Sequence, residues 1–185
     1  MEEIHESEYA AAFFINYNYA KLLDSHYLAT YARVSNANHV HETLVDMSKS
    51  YKSALAYAIS QDLEVRVDVL NSLGLALMQL GNIQDALQSF EQILQLNNCS
   101  CVAHGNIALA YNQFGKHNAA IKHLRYALDI NPNDANAHHN IGNMYQMVND
   151  IPQAIHHWKV KCSSYLLCLD IFAVFIFSYF RKLYN

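Results

Sequence analysis

Apolar residues recur along the chain from about residue 68 with a period of 34 residues. The small residues Ala86, Ala120 and Ala154 are 34 positions apart, and larger apolar residues keep the same offsets from them. Within each copy the apolar positions step by three and four, which is the spacing of one face of an α-helix. A fixed period of this length predicts stacked helical hairpins, because each repeat supplies one two-helix unit. We therefore expect an all-α chain.

The middle copy shows how one hairpin is predicted to form. Its first helix, helix A, is predicted over 102–114 and ends at Gly115, where glycine can adopt a left-handed backbone. Its second helix, helix B, is predicted over 118–130. Asn131–Asp134 then closes the unit, because Pro132 resists continuing the helix and an Asn or Asp can cap the next one.

Small residues mark the places where the two helices of a hairpin are expected to approach closely. Ala108 and Gly142 lie on helix A, and Ala120 and Ala154 lie on helix B. A larger side chain at these positions would force the backbones apart, at a cost of about 1–3 kcal/mol. No hairpin can bury its remaining apolar face alone, so stability is predicted to come from stacking.

These positions together resemble the tetratricopeptide repeat. The resemblance covers two full copies, predicted at 67–100 and 101–134, and a third, truncated copy at 135–159. Leu70, His104 and His138 replace the tryptophan of the family's first signature position. The resemblance implies a right-handed superhelical stack of antiparallel helical hairpins, a tetratricopeptide solenoid, with the A helices lining a concave groove. It also implies that the chain binds other proteins.

Residues 1–62 depart from this pattern. Segments 18–23 and 50–58 are similar to the middle of a helix A and to a helix B, with Ala54 at the small-residue position. Two interpretations stay open. The region is a degenerate repeat that carries a mostly helical insertion at about 24–49, or it consists of non-repeat helices that cap the stack.

The chain departs from the repeat again after Lys159, where residues 160–185 form a non-repeat, apolar tail. Its apolar run from Tyr165 to Phe180 is shorter than the roughly 20 residues of a membrane span and contains Asp170. Three interpretations stay open: a membrane anchor, a continuation of helix B over the end of the stack, or an ending foreign to the repeat gene. The last follows because Lys159 and Val160 can be encoded by an exon end and an intron start, so a retained intron or a truncated gene model would supply the tail.

The residues predicted to line the groove are mostly uncharged and polar. They occupy helix-A positions that share one face of the helix, and the predicted set is Asp68, Ser72, Gln79, Asn106, Leu109, Gln113, Asn136, Asn140, Asn143 and Met147. Asn106 and Asn140 recur at one position, and an amide both donates and accepts hydrogen bonds. In this feature the chain resembles the superhelical repeats of O-GlcNAc transferase, whose asparagines at this position form a ladder. The resemblance implies binding of an extended peptide backbone, without the transferase activity.

Several partners and chemistries are not expected. The groove positions carry no Lys or Arg, so the family's clamp for a C-terminal carboxylate would lack its charge-assisted hydrogen bonds. A net charge of −4 provides no basic surface for nucleic acid. The adjacent histidines at 138–139 and 156–157 point in different directions, and the Cys99-Ser-Cys101 motif lacks a second pair. We predict no metal site, no cofactor and no catalytic residue.

The sequence therefore predicts a non-enzymatic scaffold or adaptor that binds a peptide or a partner helix. The acidic start lacks the form of a secretory leader, and the four cysteines do not resemble a disulfide framework. A cytoplasmic location is expected, with nuclear and ciliary locations left open. Two alternatives for the function also stay open: an adaptor tethered to a membrane through Tyr165–Phe180, and a substrate-selecting fragment of a larger enzyme.

Overall fold

The computed structural model describes residues 11–23, 37–57 and 63–162, and every regular element in this part of the chain is an α-helix. The all-α prediction is confirmed. In chain order the helices are α1 (11–23), α2 (Ala37–Tyr57), α3 (Leu63–Gln79), α4 (Ile83–Leu96), α5 (Cys101–Gln113), α6 (His117–Ile130), α7 (Ala135–Met147) and α8 (Ile151–Cys162).

Consecutive helices pack in pairs from α3 onward. The closest partners are α3 with α4, α5 with α6, and α7 with α8, so each predicted A helix packs on its own B helix. The hairpins then stack through α4 against α5 and α6 against α7. The bounds predicted for the middle hairpin are correct to within one residue at each end.

A left-handed residue ends each A helix. Gly81 has φ = 79°, Gly115 has φ = 69° and Asn149 has φ = 62°. These residues stand 34 positions apart, so the turn repeats with the period of the sequence. Glycine adopts this backbone without steric cost, and asparagine is among the few other residues that tolerate it. The third hairpin therefore keeps the turn although it lacks the glycine.

Side-chain caps start two of the A helices. The Ser100 hydroxyl accepts a hydrogen bond from the Ala103 amide at 3.2 Å. The Asp134 carboxylate accepts from the amides of Asn136 at 2.9 Å and Ala137 at 3.2 Å. These bonds satisfy amides that have no partner within the helix. The cap predicted from Asn131–Asp134 is thus made by Asp134.

The buried apolar side chains form two clusters. One extends from Phe13 of α1 to Ala110 of α5, and the other extends from Ala108 of α5 to Ala154 of α8. Tyr111 packs against both clusters and so connects them. The small residues that define the period, Ala86, Ala120 and Ala154, are completely buried. Stacking of successive hairpins therefore produces the core, as the period predicted.

The small residue of helix A makes room for a large side chain of helix B. A methyl group added at Gly74 would overlap the Phe90 ring, and one added at Gly142 would lie 2.5 Å from Nε1 of Trp158. Gly142 was expected to let two helix backbones approach each other directly. Instead, it makes room for the indole ring of Trp158. The middle hairpin carries Ala108 and Leu124 at the equivalent positions, both buried in the same cluster. The residue on helix A is larger where the residue on helix B is smaller.

Helices α1 and α2 extend the stack at its N-terminal end. Phe13 and Ala20 of α1 are buried with Tyr51 and Ala54 of α2, in the same cluster as α3. The segment predicted as a helix B, 50–58, begins within the last part of the continuous helix Ala37–Tyr57. Residues 37–49 of the predicted insertion form the first part of that helix. The assignment of this pair as a degenerate repeat stays a prediction.

Helix α8 continues to Cys162, three residues past the predicted end of the third copy at 159. The apolar run predicted as an anchor, Tyr165–Phe180, lies outside the described residues. Among the helices that are described, none combines the length and the apolar character that crossing a membrane requires.

Candidate functional site

The A helices α3, α5 and α7 carry the predicted binding residues on one surface, which we call the A-helix face. All ten residues reach solvent. Those that are partly buried are Asp68, Ser72, Asn106, Asn140 and Asn143, and those that are more exposed are Gln79, Leu109, Gln113, Asn136 and Met147. The residues at these positions are thus available for contact, while their neighbours one or two positions away, such as Ile107 and Ile141, are in the core.

An asparagine pair joins α3 to α5 on this face. The Asn106 amide nitrogen donates to the Asn71 carbonyl oxygen at 2.7 Å. Asn71 was not among the predicted residues, because it precedes the position of Ser72 and its partner lies on another helix. The bond leaves the Asn106 carbonyl oxygen with its acceptor capacity. It also holds the Asn106 side chain in one orientation.

Asp68 connects the same face to α1. Its carboxylate accepts from the Tyr17 hydroxyl at 2.5 Å and forms an ion pair with Lys21 Nζ at 3.0 Å. Burial by itself would raise the pKa of Asp68, but the bonds from Tyr17 and Lys21 outweigh it and lower the pKa. Burial, followed by the Asp68 carboxylate, raises the pKa of Tyr17. Asp68 therefore holds the N-terminal helix in place, and much of its charge is neutralised.

Asn140 of α7 and Gly105 of α5 form the open part of the face. Asn140 is partly buried, and its amide has no hydrogen-bond partner among the residues described in 11–23, 37–57 and 63–162. Gly105 stands one position before Asn106 and within helix α5, and a methyl group added there would meet no atom within 4 Å. Unlike Gly74 and Gly142, Gly105 therefore has no packing reason within the described chain.

The amide of Asn143 is used within its own hairpin. Its carbonyl oxygen accepts from Trp158 Nε1 at 3.1 Å, and its nitrogen lies 3.2 Å from His139 Nε2. The bond to Trp158 satisfies the indole N–H of the side chain that fills the space at Gly142. Of the predicted residues, Asn143 is thus committed to structure, whereas Asn140 is open to a partner.

Apolar side chains interrupt the amides on this face. Val102 and Met147 are each 61% exposed, and Leu109 is 36% exposed. No Lys or Arg stands at the predicted positions of α3, α5 and α7. The A-helix face therefore combines amide groups with exposed aliphatic surface, and Asp68, the one charged residue among the predicted positions, is paired with Lys21.

A cleft of about 490 Å³ opens where α1, α3 and α5 meet at the start of this face. Its polar lining comes from Tyr17, Glu64, Asp68, Asn71 and Ser100, and Val102 belongs to its apolar lining. Asp68 and Asn71 join the cleft to the rest of the A-helix face.

The structure places no metal centre of the usual kind on this face. Throughout the described ranges, no group of three or more His, Cys, Asp or Glu side chains is arranged to hold a metal ion. Cys99 is exposed, Cys101 is partly exposed, and neither forms a disulfide. The sequence pattern did not single out Asn71 and Gly105 of the face, or Tyr17 and Lys21 of α1, which contact the face through Asp68.

Comparison with known proteins identifies the repeat. A family model described as "Tetratricopeptide repeat" matches residues 67–98, and one described as "TPR repeat" matches residues 108–149. Residues 67–98 and 108–149 therefore match the tetratricopeptide repeat. The two matches fall on the segments where the 34-residue period is most regular, so the period and the family models agree.

Solved structures share the architecture of these tetratricopeptide repeats. A crystal structure of MamA has a TM-score of 0.58 at 19% identity, over 78% of this chain and 85% of that chain. The second tetratricopeptide domain of Spaghetti (RPAP3), bound to the HSP90 peptide SRMEEVD, has a TM-score of 0.51 at 14% identity, over 54% of this chain and 94% of that chain. At these identities the likeness shows the fold. No curated protein matches the sequence significantly.

Proposed function

We propose that the A-helix face binds an extended, uncharged segment of a partner protein, so that the chain acts as a non-catalytic interaction scaffold. The observation that carries the proposal is the pairing of an open amide, Asn140, with an open glycine, Gly105, on neighbouring A helices. An amide side chain can donate to a peptide carbonyl and accept from a peptide N–H at once. It therefore recognises a backbone whatever its side chains are.

Gly105 supports close approach of that backbone. A glycine within a helix destabilises it by about 0.5–1 kcal/mol relative to alanine. Gly74 and Gly142 are explained by the aromatic rings against them, but nothing in the described chain requires glycine at 105. The approach of a partner's main chain is the kind of contact for which a missing side chain is useful. Asn106, the next residue, is already oriented by Asn71.

The exposed aliphatic residues provide a place for the partner's side chains. Val102 and Leu109 stand on either side of Gly105 along α5, and Met147 lies at the end of α7. Alternate side chains of an extended strand point to opposite faces. A segment that crosses Gly105 can thus turn one set of side chains toward Val102 and Leu109 while its peptide groups meet the amides.

The charge of the face favours an uncharged ligand over an acidic tail. The Spaghetti (RPAP3) domain is bound to SRMEEVD, a peptide with three carboxylate side chains. The corresponding face here lacks Lys and Arg at its predicted positions, and Lys21 of α1 is already paired with Asp68. A buried carboxylate would lack a cation, which makes charge-assisted recognition of such a tail unfavourable.

The proposal is tested with a peptide selected from a random library. Short random peptides displayed on phage are selected against the full chain, and the affinity of a selected peptide is measured by isothermal titration calorimetry. The double variant Asn106→Ala with Asn140→Ala should bind about tenfold more weakly, since two hydrogen bonds of about 0.5–1.5 kcal/mol each are lost.

The matched control removes two amides from a B helix. Gln84 and Gln88 are exposed on α4, and Gln84→Ala with Gln88→Ala should leave the affinity unchanged. Equal affinity of the wild type and the Asn106 and Asn140 variant would contradict the proposal. The membrane tether, the enzyme-fragment alternative and the cytoplasmic location stay predictions.

A further inference from the structure

Two histidine pairs occupy the same place in successive hairpins. His104 of α5 and His123 of α6 have their Nδ1 atoms 3.2 Å apart, and His138 of α7 and His157 of α8 have theirs 3.0 Å apart. Each histidine of the second pair follows its counterpart by 34 residues. Each pair therefore joins the A helix of a hairpin to the B helix of the same hairpin.

The outer nitrogen of the helix-A histidine is fixed by a backbone group. Nε2 of His138 lies 2.9 Å from the Pro132 carbonyl oxygen. Because a carbonyl only accepts, Nε2 of His138 carries the proton, and its Nδ1 lone pair accepts the hydrogen bond that Nδ1–H of His157 donates in the metal-free pair. At the equivalent place the His104 ring lies near the backbone of Asn98, the residue 34 positions before Pro132, and this interaction acts to raise the pKa of His104 against the larger lowering effect of burial. Histidines that bind metals typically donate their other ring N–H to a backbone carbonyl or a carboxylate in this way.

We propose that each histidine pair binds one divalent transition-metal ion through its two Nδ1 atoms, with water completing the coordination. The proton that lies between the two Nδ1 atoms in the metal-free pair then moves, through solvent, to Nε2 of the helix-B ring, so that both Nδ1 lone pairs are free for the ion. Imidazole suits Zn²⁺, Ni²⁺ and Cu²⁺. Two imidazole nitrogens that each lie about 2.0–2.1 Å from one ion are about 2.9–3.4 Å apart when the angle at the metal is between square and tetrahedral. The Nδ1 separations of 3.0 and 3.2 Å fall within that range.

Burial and nearby positive charges determine how tightly the histidine pairs bind a metal ion. Burial is the main cause that lowers the pKa of His104, His123 and His157. Lys122 near His123, and Arg125 and His156 near His157, oppose an added cation. With two protein ligands and these neighbours, each site binds more weakly than a four-ligand structural zinc site.

Metal binding at these pairs would stiffen the hairpins that carry the A-helix face. Each ion would join α5 to α6 or α7 to α8, and the pair exists only when the hairpin is folded. A ligand that binds the folded chain and not the unfolded chain raises stability. This effect does not depend on whether a peptide is bound.

The test is a titration of the full chain with Ni²⁺ by isothermal titration calorimetry. Variants are His123→Gln, His157→Gln and the double variant, and the control is His41→Gln, which changes an exposed histidine of α2. Each single variant should bind one fewer equivalent than the wild type, and the double variant two fewer, while the control stays unchanged. Circular dichroism checks that each variant is helical.

A spectroscopic measurement on the wild type keeps the proposal testable if a variant does not fold. Long-range ¹H–¹⁵N spectra of the imidazoles are recorded with and without Zn²⁺. The Nδ1 resonances of His104, His123, His138 and His157 should shift together, and that of His41 should not. The proposal is overturned if the wild type and the folded double variant bind equal numbers of ions, or if the four Nδ1 resonances are unchanged by Zn²⁺.

Discussion

Gly142 of α7 lies against the indole of Trp158 of α8, so closely that a methyl group on Gly142 would be 2.5 Å from Nε1 and 2.6 Å from Cδ1. Gly74 and Phe90 repeat the arrangement in the first hairpin. The middle hairpin has Ala108 and Leu124 instead. In each hairpin the larger side chain comes from helix B, and the residue opposite it on helix A is correspondingly small.

This relationship predicts the effect of enlarging Gly142. Gly142→Ala should lower the free energy of unfolding by about 1–3 kcal/mol, because the methyl group overpacks the site. In a Trp158→Leu background the same change recreates the Ala and Leu pair of the middle hairpin, and its cost should fall by about 1 kcal/mol or more. Urea unfolding of the four proteins measures this coupling. An equal cost in both backgrounds would show that Trp158 does not set the size limit at 142.

Two glycines of the middle hairpin should respond to alanine in opposite directions. Gly105 is within α5 and has open space around it, so Gly105→Ala should raise the free energy of unfolding by about 0.5–1 kcal/mol. Gly115 has φ = 69°, so Gly115→Ala should lower it by about 1–2 kcal/mol. Chemical denaturation provides both values. Changes of the same sign would contradict this prediction.

The stability of the metal-free chain should decrease as the solution becomes acidic. Burial first, and then the positive charge near each ring, lowers the pKa of His123 and lowers that of His157 to about 4. The unfolded imidazole titrates near 6.5 and so takes up protons before the folded one. The stability that the neutral, buried rings contribute to the folded chain is therefore fully present above about pH 6.5 and is lost as the pH falls toward 4.

Thermal unfolding in the presence of a chelator tests this pH dependence. The midpoint should fall between pH 6.5 and 4, and His157→Gln should flatten the curve in that interval. His41→Gln should leave the slope as in the wild type. A curve for His157→Gln as steep as that of the wild type would exclude His157 as a source of the effect.

The contact between Tyr17 and Asp68 should stabilise the position of α1. Tyr17→Phe removes the hydroxyl that donates to Asp68, at a cost of about 1 kcal/mol. Tyr19→Phe is the matched control, because Tyr19 is 49% exposed. Hydrogen exchange of residues 11–23 should become faster in the first variant only. Identical exchange in both variants would mean that the bond to Asp68 does not hold the helix.

The period of the sequence was sufficient to predict the helices of the repeats and their buried faces. Buried residues such as Ala120, Leu124 and Ala127 of α6 follow one another at steps of four and three. Because an α-helix has 3.6 residues per turn, this spacing determines which side of the helix is buried. The side of each helix that the apolar positions do not occupy is left exposed, which is why all ten predicted binding residues reach solvent.

Contacts between helices could not be predicted in the same way. The bond from Asn106 to Asn71 depends on the offset and rotation of α5 relative to α3, which the pattern of either helix alone does not determine. The same holds for Asn143 with Trp158. For the histidines there was a usable signal, since His123 and His157 each follow a helix-A histidine by 19 residues. The adjacent histidines, which the sequence draws attention to, are not the pairs whose ring nitrogens come within hydrogen-bond distance, although the rings of His156 and His157 are in contact.

The most direct test of the binding face is photo-crosslinking of a phage-selected peptide to the full chain. The photoreactive residue p-benzoylphenylalanine replaces Leu109 on the A-helix face in one variant, and Gln88 on α4 in the other. We predict a covalent peptide adduct from position 109 and none from position 88. An adduct from position 88 without one from position 109 would contradict the assignment of the binding site to the A-helix face.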